Sequence, residues 1–411
     1  MNISFTIAKR TLFSEKNSFS KFIIKLSIAA TMLSVMAMII TISFVNGFQD
    51  KVSEKIFSFW GHIRVQHLEA NKALVAEETP VYKNDSILKI IKLQPEVLHV
   101  SAFATKSAVL EKNKSIEGVL IKGIESTYDS IQLSSLISYG KWLNFSDTNY
   151  SKEILVSQAI ANVLNIQVND TIQTHFIATQ NGQSSTVRKL KVAGIYKTGI
   201  EEYDKLFIIA DIRLLQRLNN WQSNQIGGYE LVLSNYNHLD SFNNNLLDKL
   251  PNEWISKSIK EIYPNIFDWL NIQDVNRNVV FIIMSIVAII NLITCLLVLV
   301  LERTRMIGIL KAVGTPNFQI QQIFLCHAFI INILGIGGGL IAGLGLCFLQ
   351  QHTHIITLDE SSYYISYAPI KIIGWQVMLV CVCTGIVCFL SLIIPSWVVK
   401  TLSPVKAIQF R

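Results

Sequence analysis

The sequence predicts an α-helical membrane protein, with four transmembrane helices and one large α+β domain outside the cytoplasm. Three observations lead there. Only 16% of the 411 residues are charged while 50% are hydrophobic, against about 25% charged in soluble domains. Four stretches, 22–45, 279–301, 323–349 and 373–399, are near-unbroken runs of Ile, Leu, Val, Met, Ala and Phe, each long enough for the roughly 20 residues a bilayer crossing needs. The intervening stretch 46–278 instead alternates short strand-like and helix-like patterns and is close to neutral, with 24 Lys+Arg against 25 Asp+Glu.

Residues 1–21 mix Ile3, Phe5, Ile7, Leu12, Phe13 and Phe19 with Lys9, Arg10, Lys16 and Lys21, as an amphipathic helix lying on the cytoplasmic membrane surface would. The first run exceeds the 7–15 residues of a signal-peptide core, and Ser43–Phe48 offers no small-x-small cleavage site, so it is expected to remain as a span. In 46–278, Val97–Leu110 and Gly118–Ile124 read as strands around a polar Glu-Lys-Asn-Lys turn. Ile154–Val156 is a strand leading into a helix at Gln158–Leu164, and Val168–Thr171 turns into another strand. Val187–Tyr196, Leu206–Ile209 and Tyr229–Leu233 are further strands, with helices at Asp211–Asn219 and Leu239–Leu250. This βαβ-like order implies an α+β domain. Residues 302–322 form a basic connection between the second and third spans. Gly335, Gly339 and Gly343 in the third span recur at four-residue steps, the spacing that lets a neighbouring helix approach closely. A loop at 350–372, the last span and a tail at 400–411 complete the chain.

Excess basic charge lies on one side of this topology. Lys9, Arg10, Lys16, Lys21, Lys25, Arg303, Arg305, Lys311, Lys400, Lys406 and Arg411 are opposed only by Glu15 and Glu302. The positive-inside rule then places both termini and 302–322 in the cytoplasm, and 46–278 and 350–372 outside. The near-neutral domain gives no basic patch for nucleic acid. No G-x-x-x-x-G-K-[ST] phosphate loop, G-x-S-x-G elbow or H-E-x-x-H motif occurs, so no catalytic residue, cofactor or metal site is expected. His352 and His354 lack a Cys or carboxylate cluster. His327 is the one candidate for an intramembrane proton relay and reads as a packing or interfacial residue. All six Cys fall inside predicted spans, so the domain is expected to have no disulfide.

The segment Leu301-Glu302-Arg303-Thr304-Arg305-Met306-Ile307-Gly308-Ile309-Leu310-Lys311-Ala312-Val313-Gly314-Thr315 resembles the E-[KR]-x-R-E-I-G-I-L-[KR]-A-[LIV]-G signature of the FtsX/MacB superfamily of ABC permeases, with Met306 in place of its second acidic residue. Three further segments are similar to the LolC/LolE branch: Val45-Asn46-Gly47-Phe48-Gln49 with Gly61-His62-Ile63; Tyr263–Leu270 with Asn291; and Ser362–Pro369. Tyr196–Asp204 and the tail Pro404–Phe410, where Gln409 replaces the usual Arg, fit the same pattern. The resemblance implies a multi-pass inner-membrane protein whose large outer domain is a MacB-like periplasmic core domain.

It also implies partners and sites. Two copies of a cytoplasmic ABC ATPase subunit would dock on Glu302, Arg303, Arg305, Ile307, Gly308, Leu310, Lys311 and Gly314. Ile307, Leu310 and Val313 fall at helical spacing, as a ridge entering a partner's groove would. A second permease subunit, the same or paralogous, would complete a cavity. Met32, Met36, Ile40 and Phe44 of the first span, with Ile283, Val287, Ile290 and Thr294 of the second, are its expected lining. The substrate would be a lipoprotein drawn from membrane lipid and passed to a periplasmic carrier. That carrier would be hooked by a hairpin at His175–Arg188 with its tip at Asn181, Gly182 and Gln183, which lacks the family's proline-containing hook sequence. Export of peptides or drugs, and signalling to a cell-wall hydrolase, are the alternatives within the superfamily.

Overall fold

The structure is a computed structural model describing residues 19–69, 77–128, 133–145, 149–177, 185–236 and 238–391. Residues 1–18 of the N-terminal segment, the hairpin tip 181–183 and the tail 400–411 lie outside the described residues. In chain order, α1 (Phe19–Trp60) is followed by β1 (Ile63–His67), β2 (Val81–Tyr82), α2 (Asp85–Lys92), β3 (Val97–Lys112), β4 (Ser115–Ile124), β5 (Ile137–Gly140) and β6 (Glu153–Ser157). Then come α3 (Gln158–Leu164), β7 (Thr171–Phe176), β8 (Thr186–Tyr196), α4 (Glu201–Asp204), β9 (Phe207–Asp211), α5 (Ile212–Leu218), β10 (Gln225–Ile226), β11 (Gly228–Leu233) and α6 (Leu239–Leu247). The chain continues through β12 (Trp254–Ser258), α7 (Ile259–Ile262), α8 (Pro264–Glu302), α9 (Thr304–Ala312), α10 (Asn317–Thr353), α11 (Glu360–Tyr363) and α12 (Gly374–Ser391). The described residues fall into two units: those within Met1–Asp50, Trp269–Thr357 and Tyr367–Arg411 form a helical one, and those within Lys51–Asp268 and Leu358–Ser366 an α+β one.

Helices α1, α8 and α10 run for 42, 39 and 37 residues. Among the described residues these three are long and apolar enough to cross a membrane. The expected count of four is thus not reached: the last stretch is apolar helix over the 18 residues of α12, and its remainder lies outside the described residues. The helices outrun their apolar runs for local reasons. Nothing breaks α1 until Gly61, whose φ of +68° closes it, its N–H donating to Phe57 O at 2.8 Å. Pro264 opens α8 at the position where a missing N–H costs nothing.

The glycine row of α10 is where α1 packs. A Cβ on Gly335 would lie 2.7 Å from Thr31 Cβ, and one on Gly339 would lie 2.7 Å from both Met32 O and Val35 Cβ. On Gly343 the nearest atom would be Ile39 Cβ at 3.2 Å. Asn291 Nδ2 adds polar bonds from α8 to Ser27 O (3.0 Å) and Oγ (3.1 Å) of α1.

In the α+β unit, β3, β4, β9, β6, β8 and β7 pair in turn and return to β3, forming a closed ring of strands. β11, β1 and β12 extend from the first half of β3, and β5 from the second half of β8. The pairs β4–β9 and β6–β8 are parallel and the rest antiparallel. The β3–β4 hairpin turns on two residues, Asn113 and Lys114, both at positive φ (53° and 69°), as a right-twisted hairpin requires. Trp60, Phe103, Tyr203 and Phe207 fill the core, with Trp60 edge-on to Phe207 at 4.8 Å.

Candidate coupling helix and membrane-facing surfaces

The expected coupling segment is a discrete helix, α9, set off from α8 at Arg303. Its end is fixed by sequence: Gly314 adopts φ +89°, its N–H donates to Lys311 O, and Thr315 N–H donates to Leu310 O, both at 3.0 Å. This pair of bonds satisfies carbonyls that the last turn would leave open, and Pro316 follows before α10 begins. Gly314 is also unobstructed, with nothing within 4 Å of a Cβ placed there.

The face of α9 that points outward differs from the one expected. Ile307 is 0% exposed, packed with Leu296, Val300, Ile320 and Phe324, and Leu310 leans against the same cluster. Gly308 is buried beside it. The ridge of Ile307, Leu310 and Val313 is therefore divided: two of its members anchor α9 to its own chain. The uncovered apolar side chains are Ile309 (53% exposed), Val313 (80%) and, at the start of α10, Phe318 (66%). Arg305 and Glu302 are exposed beside them, and Arg303 and Lys311 partly so. Residues 305, 309 and 313 are four apart and share one helix face. Burial alone makes this distinction, because both rows have helical spacing.

The expected cavity residues also separate. On α8, Ile283, Val287, Ile290 and Thr294 are exposed, and Ile282 and Ile286 widen the same apolar row. On α1, Met32, Met36, Ile40 and Phe44 are half-buried. Met32 Sδ would be 3.1 Å from a Cβ on Gly338, Ile40 packs on the Val35–Ile39 cluster, and Phe44 lies 5.6 Å from Phe48 ring to ring. The α8 row is open and the α1 row partly occupied by neighbours. His327 is buried and bonded through Nδ1 to Ile323 O at 2.8 Å within its own helix.

The motif at Asn46–Gln49 is a packing hub. A Cβ on Gly47 would strike Pro369 O at 2.6 Å, Asn46 bonds Gln376, Phe48 meets Trp269 edge-on at 5.3 Å, and Gln49 Nε2 donates to Leu270 O at 3.0 Å. His62 is likewise structural. It stacks between Phe57 and Tyr236 at 4.5 and 5.7 Å, and its Nδ1 accepts Leu233 N–H at 3.1 Å. Burial pulls its pKa down to about 4, so the ring stays neutral.

A buried charge cluster went unseen in the sequence, because its members lie on separate strands with nothing local to mark them. Lys122 Nζ is fully buried. It donates to Glu230 Oε2 (2.7 Å), to Tyr128 OH (3.2 Å) and to Phe59 O in the last turn of α1. Burial pulls the Lys122 pKa down to about 8 against the opposing pull of Glu230. Arg64 stacks its guanidinium 3.5 Å over Trp60.

Known proteins place these features together. Residues 26–238 match the MacB-like periplasmic core domain, and residues 278–403 the FtsX-like permease C-terminal. Similar full-length proteins include the lipoprotein-releasing system transmembrane protein LolC of Xylella fastidiosa (strain 9a5c), 20% identical with 96% of each chain covered. LolC of Neisseria meningitidis serogroup B is 21% identical over 97% of this chain and 96% of that one. LolE of Haemophilus influenzae is 24% identical over 96% of each. The chain belongs to the family defined by the MacB-like periplasmic core domain, joined to an FtsX-like permease half, in the LolC/LolE line of ABC transporter permeases.

Proposed function

We propose that this chain is the membrane subunit of an inner-membrane transporter that draws lipoproteins out of the bilayer and delivers them to a periplasmic carrier. A separate ATPase in the cytoplasm would supply the energy. The observation that carries the proposal is α9: a short helix pinned by Ile307, presenting Ile309, Val313 and Phe318 beside Arg305. Uncovered apolar residues rimmed by charge fit a groove on a partner. The lipoprotein-releasing systems to which the similar proteins belong support the cargo. So does the energetics: an acyl chain is held by about 0.8 kcal/mol per buried CH₂, so three chains hold by tens of kcal/mol and leave only with external work. The open row Ile283, Val287 and Ile290 offers an apolar surface for such chains in transit.

The test is co-purification of the ATPase with the full chain. Ile309→Asp and Val313→Asp should leave the fold intact and abolish attachment, whereas Ile307→Asp should unfold the α9 region first. Retained attachment and substrate-stimulated hydrolysis in the Ile309→Asp/Val313→Asp double variant would refute the coupling role. Unchanged lipoprotein sorting in a strain depleted of the chain would refute the cargo and favour export or signalling.

A further inference from the structure

Residues 358–366, between α10 and α12, belong to the α+β unit and fold over on themselves. Leu358 N–H donates to Ser366 O at 3.0 Å, closing a small loop around α11. Glu360, on α11, is held between two lysines from distant parts of the sequence: Lys55 of α1, 3.4 Å from Oε1, and Lys197 after β8, paired to Oε2. Lys55 Nζ also donates to Tyr364 O at 2.7 Å, and Tyr364 OH donates to Glu202 at 3.3 Å.

The surface beneath is shaped for this contact. Gly199 adopts φ +76°, and a Cβ there would stand 2.6 Å from Glu360 Oε1, 2.7 Å from Lys55 Nζ and 3.0 Å from Tyr364 O. Only glycine leaves room. Asp204 fixes that backbone from behind, accepting Thr198 N–H and Gly199 N–H at 3.0 Å each and the Thr198 hydroxyl at 2.8 Å. The segment is held by these polar contacts and by Ile365, which is 6% exposed. Tyr364 adopts φ +63°, a strained conformation for an aromatic residue. Its clasp is built of ion pairs whose side chains remain 26–42% exposed, and such pairs contribute little each. A rigid seat under a strained cover, clasped by partly exposed ion pairs, marks a part that can come off.

We propose that residues 358–366 are a releasable strap, with Glu360 between Lys55 and Lys197 as its clasp and Gly199 as its seat, and that it opens during the transport cycle. The second half of this statement rests on the function proposed above; the first does not. Its two ends run on covalently toward α10 and α12.

Hydrogen–deuterium exchange on the full chain in detergent tests the clasp. Glu360→Gln, or about 1 M salt, which shortens charge screening to about 3 Å, should speed exchange in peptides covering 358–366 by about ten-fold, the signature of local opening. Peptides from β9 should not change. Equal exchange in wild type and Glu360→Gln overturns the clasp. For the cycle, a chain carrying Lys197→Cys and Glu360→Cys is joined by a cleavable thiol cross-linker within the assembled transporter. Substrate release should fall about ten-fold and return when the linker is cut. Release at the uncut rate would show that the strap need not open. If the unlinked wild-type assembly releases no lipoprotein at all, the function reading fails, and the exchange experiment still decides the clasp.

Discussion

Alanine at Gly339 would place a methyl carbon 2.7 Å from both Met32 O and Val35 Cβ, where carbon contacts settle at about 3.5–4.0 Å. The obstacles are a backbone carbonyl and the stem of a β-branched side chain, and neither can swing aside. Helices α1 and α10 must therefore separate by about 1 Å locally, and overpacking of this kind costs about 1–3 kcal/mol. The same helix supplies its own control. Gly337 and Gly345 have nothing within 4 Å of a Cβ. Alanine there removes only glycine's backbone freedom and should stabilise by about 0.4–1 kcal/mol. Gly343→Ala, whose nearest neighbour is 3.2 Å away, should fall between the two. Thermal unfolding of the purified full chain in detergent, followed by near-ultraviolet circular dichroism, should thus move in opposite directions for one substitution made on two faces of one helix. A Gly339→Ala protein that melts at or above Gly337→Ala would show that α1 and α10 do not meet along this row.

Three further outcomes are expected. Glu230→Ala strips Lys122 of its carboxylate in a site that is 2% exposed or less, and removing one partner of a buried pair costs about 3–5 kcal/mol; a denaturant midpoint equal to wild type would contradict the cluster. His62 has its pKa lowered from 6.5 to about 4, so the unfolded chain binds its proton first. Its contribution, on the order of 3 kcal/mol, is complete above pH 6.5 and lost as pH falls toward 4; His62→Gln should flatten that limb of the stability–pH curve, and an unchanged limb would count against it. A photoreactive residue at Val287, on the open row of α8, should cross-link acylated substrate more than one at the half-covered Met36; equal yields would mean that the two rows are not distinguished by exposure.

Much of the architecture was legible in the chain itself. Apolar runs set the long helices, because a bilayer crossing needs length and little else. Alternation and turn residues set the β3–β4 hairpin, since Asn113 tolerates positive φ. Glycines at four-residue steps marked a close helix contact on α10, because only the absence of a side chain permits it; that α1 makes the contact came from the structure. The signature 302–314 located α9, and Gly314 fixed its end.

Which side of each helix does the work was decided by tertiary structure. Ile307 and Ile309 are chemically identical and two residues apart. One is buried against α8 and α10 while the other is exposed, and local periodicity carries no information about what lies opposite. The same holds for Met36 against Val287. Lys122, Arg64 and Glu230 look like ordinary surface charges until three separate strands bring them under Trp60. Lys55, Lys197 and Glu360 meet only because residues 358–366, far along the chain, are folded into the α+β unit. Composition and periodicity report what a segment is along its own axis; burial, pairing and the fate of a charge depend on segments distant in sequence, and only the folded chain brings those together.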